Sequence, residues 1–162
     1  MIARTLSRAW KDERGQSLAE FALILPVLLL LIAGIIEFGR GWNISQVVAD
    51  AAREGARSAV VADNSVTPDS VAARILRRLQ AGGTGVTTLT HVCPVATTVA
   101  TTAAFCTTYN NSAANANWRK PGIETRIDVA IRYRMPFLGA LMRWATGTTG
   151  ILIGSSASMR NE

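Results

Sequence analysis

Few side chains in this sequence have the type and spacing to do chemistry. Cys93 and Cys106 are its only cysteines and His91 its only histidine. Two thiols in one segment form a disulfide in an oxidising compartment. With His91 they would instead supply three zinc ligands, but zinc needs a fourth ligand or water, and no carboxylate lies near in sequence. Any Ser-His-Asp or Cys-His chemistry would have to use His91, and no nucleophile elbow is present. Gly82-Gly83-Thr84-Gly85 is like a phosphate-binding loop only in composition, since no strand precedes it and no lysine follows. The expectation is a protein that is not an enzyme and holds neither cofactor nor metal.

The other reactive arrangement lies near the N-terminus. Gly15-Gln16-Ser17-Leu18-Ala19-Glu20 puts a lone carboxylate five residues after a glycine, at the edge of an apolar run. Ser17-x-x-Glu20 reads as a capping box, two side chains satisfying backbone N–H groups at a helix start. The alternative is cleavage after Gly15, which creates an α-amine at Gln16 close to Glu20. A carboxylate at membrane depth is costly unless paired, and the amine of a neighbouring subunit is a natural partner. The two roles are compatible at different stages.

The elements that position these groups follow from where charge and apolar residues sit. The chain has 162 residues, 49% of them hydrophobic, and a formal charge of +6. That length allows one ordinary domain, or a small domain plus a membrane segment. Residues 1–14 carry Arg4, Arg8, Lys11 and Arg14 against Asp12 and Glu13, a net of +2. Phe21 to Ile36 then runs sixteen residues without a charge. As a helix this covers about 24 Å, a little under a hydrocarbon core of about 30 Å. Leu18, Ala19 and Phe38 extend the membrane part to about 18–38 if Glu20 and Glu37 are accommodated. Basic residues before the span and none directly after it place the N-terminus in the cytoplasm and the remainder outside. A cleaved secretory signal is a poorer reading, because the sequence around Ala33-Gly34 continues into Ile-Ile-Glu-Phe without a good small-residue cleavage site.

Residues 14–60 resemble the TadE-like family, the pseudopilins or minor pilins of Tad (tight adherence) pili. The marks are Gly15-x-x-x-x-Glu20 ahead of an apolar helix, Glu20-Phe21, Pro26, Glu37-Phe38-Gly39-Arg40, and Ala51-Ala52-Arg53-Glu54-Gly55-Ala56-Arg57. Ser156 to Arg160 is similar to the family's ending. The resemblance implies cleavage between Gly15 and Gln16 by a membrane prepilin peptidase, an inner-membrane assembly platform, and other pilin subunits as partners. Gln16 stands where many type IV pilins have Phe, which argues against N-methylation. Phe21 replaces the Tyr usual in small major pilins, and the head is larger than theirs, which fits a minor component.

Read from the residues, the helix continues past the membrane to Val61, for Asn43–Val61 holds neither proline nor a turn cluster. Pro26 should bend or loosen it. Gly41, Ser45, Ala49, Ala52, Ala56 and Ala59 form a small-residue stripe that either admits another backbone or lies under the protein's own sheet. Asp50 with Arg53, and Glu54 with Arg57, have the spacing to pair. Asp63–Thr67 breaks the helix. Thr67, Pro68 and Asp69 then start a second helix to Gln80, with Val71, Ile75 and Leu79 on one face and Arg74, Arg77 and Arg78 on others.

Ile123–Met135 alternates apolar and charged residues over thirteen positions, a strand of an antiparallel sheet covered on one side. Val86–Val92 and Ile151–Ser158 are companions, and Phe137–Trp144 a short helix after Pro136. Cys93–Trp118 reads as a Thr-, Ala- and Asn-rich loop with a short strand near Val95–Ala100. With this head outside the cytoplasm, a Cys93–Cys106 disulfide is the natural reading, worth about 3 kcal/mol in the chain-entropy model.

The fold expected is therefore α+β: a basic leader at 1–15, a long pilin-type transmembrane helix at 16–62, and a head at 63–162 with the loop 93–118. The function expected is a minor pilin held in the bacterial inner membrane, with a periplasmic head. It is later assembled into or initiates the filament and supports adhesion outside the cell. The alternatives are an uncleaved, singly anchored binding module, or a DNA-binding tip that uses Arg126, Arg132, Arg134 and Tyr133. The interspersed Glu124 and Asp128 argue against the last, and no specific nucleic acid is expected.

Overall fold

The computed structural model describes residues 13–61, 67–93, 95, 103–109, 112–113 and 122–161. The leader up to residue 12, the break after the long helix and most of the expected strand at 95–100 lie outside these residues.

Helix α1 runs from Glu13 to Val60, 48 residues and about 72 Å, with Pro26 inside it. Its lower half is left largely uncovered by the described residues: Leu18, Phe21, Leu23 and nearly every large aliphatic residue to Ile36 are exposed. One segment of α1 is long and apolar enough to cross a membrane. Its upper half is a core helix, with Val48, Ala51, Ala52, Ala56 and Ala59 fully buried. The upper part of the small-residue stripe thus lies beneath the protein's own head.

Helix α2, Pro68–Ala81, begins with a reciprocal cap: the Ser70 N–H donates to Thr67 Oγ1, and the Thr67 N–H to Ser70 Oγ. Val71, Ile75 and Leu79, one turn apart, are buried against α1. The close approach falls at Gly55. A Cβ there would stand 2.8 Å from Ile75 Cδ1 and 3.3 Å from Ile127 Cγ2, so any side chain would force the Ile75 side chain to shift where α1, α2 and the sheet meet.

The sheet contains β1 (Thr90–His91), β2 (Ala103–Tyr109), β3 (Ser112–Ala113), β4 (Glu124–Arg134) and β5 (Gly150–Arg160). Its order is β1-β2-β4-β5, with β3 paired to β2. β2 and β5 flank β4 antiparallel, whereas β1 joins β2 in parallel, so the sheet is mixed. Ile127, Val129 and Ile131 of β4, with Ala103 and Phe105 of β2, face the helices. Helix α3 (Gly139–Thr146) joins β4 to β5.

Three expectations change. The 93–118 loop contains β2, which is paired to β4 along its whole length. The outer face is also covered locally, because Val95, Ala104, Cys106 and Ala130 form a second small core. Of the strand expected at Val86–Val92, only Thr90 and His91 pair; Val86 and Leu89 reach the main core from irregular backbone.

Candidate functional site

The exposed lower half of α1 has a chemical group at each end. At the start, a Cβ placed on Gly15 would meet nothing within 4 Å among the described residues. Gln16 and Glu20 lie one turn apart, and Gln16 Nε2 donates to Glu20 Oε1 at 3.1 Å. α1 already begins at Glu13, so Ser17 sits inside the helix rather than at its start, and the capping-box reading does not hold. Glu20 is exposed beside Phe21, at the boundary where the charge-free surface begins.

At the other end stands Glu37, the first carboxylate after the span and only 4% exposed. It accepts from the Tyr133 hydroxyl at 3.0 Å, the Phe137 N–H at 2.6 Å and the Leu138 N–H at 3.2 Å. Leu138 is the N-cap residue of α3 and makes no side-chain cap. A carboxylate from α1, about one hundred residues earlier, therefore supplies the anionic acceptor that this chain entry lacks. Burial, reinforced by the hydrogen bond to Glu37 and its charge, holds the Tyr133 phenol above its ordinary value. Arg40 completes the junction, with its guanidinium 5.5 Å from the centre of the Phe137 ring. Phe38 and Trp42 stack at 6.4 Å on the outside of α1, and Gly39 faces open space.

Higher on α1, Asp50 bridges Arg53 at 3.1 Å and Arg78 of α2 at 2.9 Å. Glu54 and Arg57 form no pair among the described residues. Both line a groove of about 690 Å³ between α1 and α2 in which Arg53, Arg74, Arg77 and Arg78 also stand.

Cys93 and Cys106 are joined in a disulfide, with Cα atoms 5.0 Å apart. It ties the chain leaving β1 to the middle of β2, and both sulfurs are thereby withdrawn from metal binding. The His91 ring packs on Phe105 at 4.8 Å. Arg126, considered for DNA, pairs with Asp128 on its own strand at 2.9 Å.

Sequence reasoning singled out Glu37 without finding its partners. The signal was available: a carboxylate at the end of an apolar run must be paired. Which groups pair with it depends on how β4 folds back against α1. No curated protein and no solved structure matches the chain. The family model described as TadE-like protein matches residues 15–57, from the glycine before Gln16 to Arg57, so the similarity to that family lies along the long helix and does not extend to the head.

Proposed function

We propose that the chain is a minor pilin, or pseudopilin, of a Tad-type pilus. It is stored in the inner membrane, cleaved after Gly15, and then built into the filament or used to start it. The observation that carries this reading is the bare apolar half of α1, continuous with the core helix of the head and matched to the TadE-like family. The helix that lipid covers in storage is the helix that neighbouring subunits cover in a filament. In this scheme the N-terminus is cytoplasmic and the head periplasmic, and the partners are the prepilin peptidase, the assembly platform and other pilins. The head presents surface for adhesion.

Gln16 and Glu20 supply the assembly chemistry. Cleavage turns the Gln16 backbone nitrogen into an amine one turn from a carboxylate that already reaches the Gln16 side chain. In a filament, that amine or a neighbour's offsets the charge of Glu20 where water is scarce. Gly15→Leu is expected to leave the full-length chain in membranes, read as a larger species on denaturing gels; normal processing of this variant sinks the proposal. Glu20→Ala is expected to be cleaved but largely lost from sheared pili. Incorporation at the wild-type level would remove the pairing role.

A further inference from the structure

We propose that α3 and the strand ends beside it form a foot by which the head rests on the lipid headgroups at the level where α1 leaves the bilayer. This rests on the reading of Phe21–Ile36 as the membrane span. Helix α3 is GALMRWAT, and of its eight residues only Gly139 is buried. Trp144 is 86% exposed, and Leu141 and the preceding Phe137 are also exposed. A two-turn helix is unstable alone in water, and α3 gains little burial from its own head. Leu141 and Trp144 have no covering surface among the described residues.

The place of α3 in the fold supplies one. Glu37 directly follows the charge-free run, and it holds the backbone N–H groups of Phe137 and Leu138. The entry of α3 is thereby fixed at the depth where α1 emerges. The β4–β5 register sets Gly150 opposite Arg134 and Ile151 opposite Tyr133, so the exposed Ile151 and Leu152 lie at the same end of the head. Phe38 and Trp42 are exposed on the adjoining turns of α1.

Aromatic residues collect at membrane interfaces because they offer an apolar body and a polar edge. Short helices with Trp and Leu beside arginine lie in the interface plane. Arg134 and Arg143 line one groove of about 400 Å³ beside α3, with Met135 and Pro136 in its wall. Two guanidinium groups over an apolar floor match the phosphate of an anionic headgroup. The occupant is the bilayer rather than a second copy of the chain, because this patch is continuous with a helix that lipid already surrounds.

The test uses the full chain reconstituted in vesicles of equal parts phosphatidylcholine and phosphatidylglycerol. Trp10, Trp42 and Trp118 are replaced by Phe, which leaves Trp144 as the reporter. Acyl chains brominated near the headgroup should quench it severalfold, and more strongly than chains brominated near the bilayer centre. A companion chain, with all four tryptophans replaced by Phe and Leu29→Trp added, reports the span and should be quenched best by the deep bromines. Quenching of the Leu29→Trp reporter without quenching of Trp144 overturns the foot and leaves the span standing. Blue-shifted but unquenched Trp144 emission means protein covers the patch and also overturns it. If neither reporter is quenched, the span and the foot fall together.

Discussion

Glu37 governs how the head is held to its helix. Its carboxylate gathers a phenol and two backbone N–H groups from the opposite end of the chain, with little water to replace it. Glu37→Ala strands all three donors and should lower stability by about 3 kcal/mol, read by thermal unfolding in detergent. Tyr133→Phe removes one bond to a charged acceptor and should cost about 1.5 kcal/mol. The Tyr133 phenol is held above its ordinary value of 10.0 by burial and by Glu37. A raised folded-state value means this contribution is complete below pH 10.0 and is lost as pH rises through the folded value. The wild-type chain should therefore lose stability in that alkaline window more steeply than Tyr133→Phe; equal slopes would contradict the arrangement. Cys93→Ser should cost about 3 kcal/mol, and a reductant should reproduce the loss in the wild type but not in the variant.

Among the elements, α1, α2 and β4 meet where Gly55 leaves room for Ile75 and Ile127. Gly55→Leu inserts a branched side chain into that contact and should destabilise the head by about 3 kcal/mol, measured by denaturant unfolding. Losing the cap with Thr67→Ala should cost about 1 kcal/mol. How visible each element was in the sequence depended on what covers it. β4 has one face on the helices and one largely in solvent, so its period of two stood out. β2 has neighbours on both faces, Phe105 against the helices and Cys106 against the disulfide segment. Its run Ala103-Ala104-Phe105-Cys106 is buried throughout, so no alternation marked it within a Thr- and Ala-rich stretch. α2 announced itself through Thr67, Pro68 and its apolar face. The Glu37 junction was legible only as a carboxylate in need of partners, because they come from β4 and the entry to α3.

For the molecule as a whole, the charge of +6 and the 49% hydrophobic content are both unevenly placed. The apolar residues concentrate in a half-helix that the head does not cover. The arginines concentrate above it, in the groove between α1 and α2, and beside α3 at its upper end. That division suits a chain that is drawn out of a bilayer by its lower half while its upper half stays folded. On the proposed processing, removal of residues 1–15 would take away a net +2 and most of the charge signal for topology. The central claim is this processing step. Mass spectrometry of the mature protein isolated from membranes should find an N-terminus at Gln16. An N-terminus at Met1 or Ile2 would contradict the account and leave a permanently anchored extracytoplasmic module in its place.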